Sequence, residues 1–152
     1  MRDMSDGEKA YTACFLDTDG TLTMRTRYKN NGRFWFEIRL IFFNCEGKEI
    51  LEYLKAIIGK GCVTHACRYK TNKMEYKLVI SKFDDVENLL IRVSPYMHLN
   101  RKQKIASILL EVCKIHKEVR NNQHPKFIKG ERYQYPQRIF DIQKEVTELN
   151  MK

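Results

Sequence analysis

Residues 13–20 read ACFLDTDG, and the alternating stretch TLTMRTRYK follows at 21–29. Two aspartates, Asp17 and Asp19, stand one residue apart and a glycine closes the phrase. The segment before it, GEKAYTACFL at 7–16, has small residues (Ala10, Ala13, Cys14) at helical spacing of three to four. That spacing predicts a short helix whose small side chains let another backbone come close, with Gly20 turning the chain at its end.

The organisation of the flanking chain decides what the phrase belongs to. In residues 21–29, Thr21, Thr23, Arg25, Arg27 and Lys29 alternate with Leu22, Met24, Thr26 and Tyr28, the period of a strand with one wet face. NNGR at 30–33 supplies a hairpin turn, and the return strand 34–44 sends Phe34, Phe36, Ile38, Leu40 and Phe42 to one side. Trp35, Glu37, Arg39 and Ile41 go to the other. Residues 46–58 switch to helical spacing, with Ile50, Leu51, Leu54, Ile57 and Ile58 as the apolar stripe. A second hairpin is expected over 62–70 and 75–81 around TNK, with Tyr76, Leu78 and Ile80 inward and Glu75 and Lys77 outward. Helices over 83–93 and 101–119 follow, then a polar stretch at 121–136 that resembles a linker, and a last helix at 137–149. The order predicts an α+β fold: an antiparallel sheet with helices on one face and the other face open.

Composition narrows the partner. The chain has 152 residues, enough for one domain with a real core. Its net charge is +9, and the charge is segmental: five Lys or Arg against one acid in residues 21–44, and the same again in 62–82. Both segments are the proposed hairpins, so the open face of the sheet is basic, which suits a polyanion. Five cysteines at 14, 45, 62, 67 and 113 lack CxxC metal spacing. Cys14, Cys62 and Cys113 have apolar neighbours, from which buried, reduced thiols and a cytoplasmic or organellar, reducing compartment are expected. No apolar run reaches the ~20 residues of a membrane span, so no membrane association and no signal peptide are expected.

FLDTDGTLT, residues 15–23, resembles the first motif of the haloacid dehalogenase phosphatases, in which Asp17 would be the nucleophile and Asp19 the acid/base beside Mg²⁺. That chemistry stands at the carboxyl end of a parallel strand and needs βα units after it. Here a helix precedes the aspartates and hairpins follow.

ACFLDTDG also resembles the motif of the LAGLIDADG homing endonucleases. Ala13, Phe15, Leu16, Asp17, Asp19 and Gly20 fit it; Cys14 stands where that family has glycine, and Thr18 where it has alanine. The order helix, hairpin, helix, hairpin, helix is the family's αββαββα fold with its saddle-shaped sheet, and the resemblance covers roughly residues 8–120. It implies an endonuclease domain at 1–120, with 121–152 as a basic linker and C-terminal helix. It further implies a site-specific DNA endonuclease that makes Mg²⁺-dependent double-strand breaks for homing of a mobile intron or intein. One motif per chain implies a homodimer through the helix containing Ala13 and Cys14, and a near-palindromic double-stranded DNA target.

Several residue roles come with the resemblance. Asp19, with the backbone carbonyl of Thr18, would hold the metal. Lys102, opening KQKIA at 102–106, would contact phosphate or water. Asn44 and Lys48 would position water and supply a basic group if a one-residue gap is allowed; without it Phe43 and Gly47 fall there. Asp17 is either a second acidic group or a residue that closes its own helix. By strand parity, Thr23, Arg25, Arg27, Lys29, Arg39, Arg68, Lys70, Glu75 and Lys77 would face DNA, offering donors and acceptors for major-groove base edges. Trp35 shares that face. Relatives with the same fold can act as RNA maturases or bind DNA without cutting it.

Overall fold

A computed structural model of the chain describes residues 1–28, 34–67, 74–123 and 136–151. The chain runs α1 (Asp6–Asp19), β1 (Gly20–Tyr28), β2 (Phe34–Asn44), α2 (Glu49–Ile58), β3 (Cys62–Cys67) and β4 (Met74–Ile80). It continues through α3 (Phe83–Val93), one 3₁₀ turn (Ser94–Tyr96), α4 (Asn100–Gln123) and α5 (Gln137–Met151). The expected NNGR and TNK turns, and with them Lys29, Arg68 and Lys70, lie outside the described residues, as does most of the stretch expected to be a linker.

The two hairpins meet in one antiparallel sheet of order β1-β2-β4-β3. Alternation decides its two faces. Leu22, Met24, Phe36, Ile38, Leu40, Phe42, Leu78 and Ile80 are all buried against the helices, and Tyr76 packs at the margin of the same core. Residues of the opposite parity, Thr23, Arg25, Arg27, Glu37, Arg39 and Lys77, are half-exposed on the other side. Trp35 is exposed there, as its parity predicts.

The ends of α1 and α2 have local causes. Ser5 caps α1: its Oγ accepts from the Glu8 N–H at 3.3 Å while the Glu8 carboxylate accepts from the Ser5 N–H at 2.9 Å, so two of the helix's orphan donors are satisfied reciprocally. The helix therefore starts earlier than the apolar spacing indicates, and it runs on to Asp19. Gly20, expected to turn the chain at the helix end, is extended (φ −98°) and opens β1 directly. A Cβ there would lie 2.5 Å from the Leu16 carbonyl oxygen, so glycine is required by the closeness of strand to helix. Gly59, at φ 73°, does end α2 in the left-handed conformation, and its N–H donates to the Lys55 carbonyl.

The C-terminal helix packs on the domain. Ile139, Ile142 and Val146 are fully buried in the same core as the sheet. Thr26 Oγ1 donates to Gln143 Oε1 at 2.6 Å, and Asn150 Nδ2 donates to the Leu22 carbonyl at 2.9 Å, so α5 is tied to β1. Among the described cysteines, only Cys113 is buried; Cys14, Cys45 and Cys62 are exposed free thiols, contrary to the burial expected of Cys14 and Cys62. Cys14 is on the outer side of α1, and Cys62 opens a strand at the sheet's edge. No helix among the described residues is long and apolar enough to cross a membrane.

Candidate active site and nucleic-acid interface

Asp19 is the last residue of α1, where the helix presents carbonyls that have no intrahelical partner. Its side chain is exposed and lines an open cleft of about 760 Å³ with Thr18, Thr21, Phe43, Asn44, Glu46 and Glu75. The cleft thus joins the end of α1, the start of β1 and the end of β2, where the sheet's basic face meets the helix tip. The Thr18 hydroxyl donates back to the Cys14 carbonyl at 3.1 Å and lies 3.3 Å from Asp19 Oδ2.

Asn44 enters the cleft in a fixed orientation. Its Oδ1 accepts from the N–H groups of Glu46 (2.8 Å) and Gly47 (3.0 Å), which assigns the amide and leaves Nδ2 as a donor. Phe43, the ungapped alternative, lines the same cleft. Lys48 is exposed before the first turn of α2, and the cleft's lining does not include it. Glu46 does line the cleft, although no motif or spacing singled it out. Only its place in the turn directly after β2 could have pointed there.

Lys102 is buried, at 7% exposure, and sits behind the site. Its Nζ donates to the carbonyls of Leu16 (2.6 Å), Asp17 (2.6 Å) and Gly20 (2.7 Å). The ammonium expected at phosphate or water is here engaged with the backbone that carries Asp19. Burial pushes its pKa down, and the nearby Asp17 carboxylate opposes that shift. Asp17 itself is buried, and its Oδ2 accepts from the His98 (2.6 Å) and Leu99 (3.3 Å) N–H groups. It therefore anchors the segment ahead of α4 and does not close its own helix. This position also disposes of the phosphatase reading. The candidate nucleophile is inside a helix, turned away from the cleft, and every strand pairing described is antiparallel.

On the sheet face, Arg25, Arg27 and Arg39 gather around Glu37. The carboxylate accepts from Arg25 Nε (2.8 Å), Arg27 Nε (2.9 Å) and Arg39 Nη2 (2.5 Å). Burial alone would raise the Glu37 carboxyl, but hydrogen bonds from Arg39, Arg27 and Arg25 outweigh it and hold the pKa at about 2. Thr23 stands opposite Arg39 in the register. Glu75 departs from expectation: it is 4% exposed, bonded at 3.0 Å to Lys77, and does not stand open as a base-reading acceptor. Strand β2 ends in register at Asn44 opposite Tyr76, so Glu75 lies beside the Asn44–Glu46 turn and shares its cleft. Lys77 Nζ also lies 5.3 Å from the centre of the Phe43 ring.

The dimer face expected on α1 needs one correction. Ala13 is fully buried in the chain's own core, so it cannot meet a partner. The exposed stripe is Gly7, Ala10, Tyr11, Cys14 and Thr18, and Tyr11 stands edge-on to Tyr53 of α2. Among the described residues, no cluster of three or more His, Cys, Asp or Glu could hold a metal.

No family model matches the sequence, and no curated protein does. Solved structures do match in fold. The homing endonuclease I-TnaI superposes with a TM-score of 0.68 at 12% identity, over 99% of this chain and 96% of its own. The group I intron-encoded homing endonuclease I-CeuI, complexed with DNA, gives 0.67 at 15% identity, over 96% and 69%. I-CvuI, in complex with the I-CreI target, gives 0.63 at 15% identity, over 92% and 94%. With two hairpins in one antiparallel sheet, the described helices behind it and the paired aspartates at the end of the first helix, this chain has the fold of the LAGLIDADG homing endonucleases.

Proposed function

We propose that the protein is a site-specific DNA endonuclease that acts as a homodimer and cuts both strands of a near-palindromic target. The observation that carries this reading is the junction at Asp19: an exposed carboxylate at the open end of α1, in a cleft that adjoins a sheet face bearing Arg25, Arg27 and Arg39. The same helix presents a stripe of small residues, Gly7, Ala10, Cys14 and Thr18, against which a second copy of α1 can pack closely. Two chains joined there bring two Asp19 side chains together, one for each strand.

The donor chemistry fits a hard divalent cation such as Mg²⁺, provided the site is shared. Asp19 and the Thr18 carbonyl offer oxygen ligands, and the carbonyl end of α1 adds partial negative charge. One chain offers too few ligands by itself; a second Asp19 and the DNA phosphate would complete the shell. When bound, such a cation supplies an activated water and neutralises charge at the phosphate. The rest is the work of the chain. Asp19 fixes the place of cutting, Lys102 holds the helix end that bears it, and Asn44 Nδ2 is oriented to donate to water or a phosphate oxygen.

The test is incubation with a randomised duplex library and Mg²⁺, followed by sequencing of the cut ends. A defined, near-palindromic set of cut sites supports the reading. Binding to no duplex, or cutting without sequence preference, would refute it.

A further inference from the structure

The arginines of the sheet face do not project independently. In the register of β1 and β2, Arg25 is directly opposite Glu37, and Arg27 is opposite Trp35, one diagonal step away. Arg39 is two residues further along β2 on the same face. One carboxylate with 17% side-chain exposure therefore holds three guanidinium groups that are 24–43% exposed. Arg25 and Arg27 each bond it through Nε, so neither spends a terminal amino group on the carboxylate. Arg25 Nη2 is itself buried and without a partner among the described residues, so Arg25 turns only Nη1 outward, whereas Arg27 turns out both terminal amino groups.

An arginine anchored through Nε loses most of its rotamer freedom and presents its Nη groups in a fixed plane. Guanine offers the matching pair of acceptors, O6 and N7, in the major groove. We propose that Glu37 is a specificity-determining positioning residue, which locks Arg27, with two terminal amino groups, and Arg25, with one, as a rigid pair reading guanines in each half of the DNA target. Glu37 touches no base in this account. Its carboxylate, itself repelled by DNA, is retained on a basic face because an ordered arginine discriminates between bases where a loose one only attracts phosphate. The proposal rests on the DNA-binding reading above and goes further by naming the bases read and the residue that makes them legible.

The experiment selects bound duplexes from a randomised library with the wild type, Arg25→Ala, Arg27→Ala, Glu37→Gln and Glu37→Asp, in Ca²⁺. Binding is measured below the melting temperature of every variant. Asp keeps the charge but is too short to reach all three arginines, so it provides a second probe if Gln disturbs folding. The target positions relaxed by Arg25→Ala and Arg27→Ala should be guanines in the wild-type selection. Glu37→Gln should relax those same positions, by roughly tenfold or more in base preference. Its affinity for unrelated DNA should be kept or raised, because a negative charge has left the face. A loss of fold alone would weaken all positions equally. Unchanged base preferences in both Glu37 variants would overturn the proposal while leaving DNA recognition intact, and so would arginine-dependent positions that are not guanine. If the wild type selects no duplex, the endonuclease reading itself falls, and this proposal with it.

Discussion

Lys102→Met removes one ammonium and nothing else of size, and its cost can be worked from the structure. The amine bonds three carbonyls at 2.6–2.7 Å, and two of them, from Leu16 and Asp17, belong to the last turn of α1. Hydrogen bonds to a charged group each contribute about 1.5–3 kcal/mol. Against that, burying an ammonium costs several kcal/mol, which methionine avoids. Methionine also leaves the carbonyls and the Asp17 carboxylate without their cation. We expect a net loss of about 3 kcal/mol, similar to removing one member of a buried ion pair. For a chain of this length that is roughly 6–12 °C in melting temperature, or a urea midpoint lowered by about 1.5 M at unchanged slope. Below its melting temperature the variant should bind DNA normally but cut poorly, because the end of α1 that carries Asp19 is no longer held. A lysine that met phosphate directly would behave in the opposite way. Its loss would leave stability alone, weaken binding and lower the slope of log K against log salt by about 0.9 per contact. That outcome, with a stability change under about 0.5 kcal/mol, would refute the clamp.

Asp19→Asn should abolish cleavage while target affinity changes less than about threefold, and Ca²⁺ in place of Mg²⁺ should likewise permit binding without cutting, since it favours longer, looser coordination; gel shifts and cleavage assays on one duplex check both. Cys14→Arg, on the exposed face of α1, should shift sedimentation toward the 18.2 kDa monomer without lowering stability. Ala13→Leu, at a fully buried position, should instead cost about 1–3 kcal/mol by overpacking. If Ala13→Leu dissociates a stable dimer, the assignment of faces is wrong. Glu37 has a folded pKa of about 2 against an ordinary 4.5, so between those values the unfolded chain binds more protons and stability rises with pH. The contribution, on the order of 2–3 kcal/mol, is complete above pH 4.5 and is lost as pH falls toward 2. Urea midpoints of wild type and Glu37→Gln should therefore differ most near neutrality and converge in acid; a constant gap would count against the arginine cluster.

What the sequence disclosed and withheld follows from the range of each interaction. Strand alternation is local, so the faces of β1 and β2 and the basic surface were readable from residues 21–44. So was the place of Asp19, because the motif and the hairpins after it agree. The grouping of Arg25, Arg27 and Arg39 around Glu37 was half visible. Parity put all four on one face, but only the register pairing Tyr28 with Phe34 puts Glu37 opposite Arg25, and a turn motif alone does not fix register. Ala13 and Cys14 are adjacent and about 100° apart on a helix, so one stripe of small residues could not tell which faces inward. Lys102 and Asp17 were the hardest. Their partners are more than 80 residues away along the chain, and an early helix lysine looks like any solvated charge until the fold brings a carbonyl-rich helix end against it.

The tie between α5 and β1 also bears on the open edge of the sheet. Strand β1 is at the edge of the sheet, and an open edge is a template on which another chain can add a strand. The side chain of Asn150 bonds the Leu22 carbonyl and Gln143 holds Thr26, both on that strand. A helix laid there guards the edge as a cap guards a helix end. Chains that lose α5 would expose β1 together with the apolar ground under Ile139, Ile142 and Val146. Their failure would then be self-association into extended aggregates, a fate separate from any loss of DNA recognition.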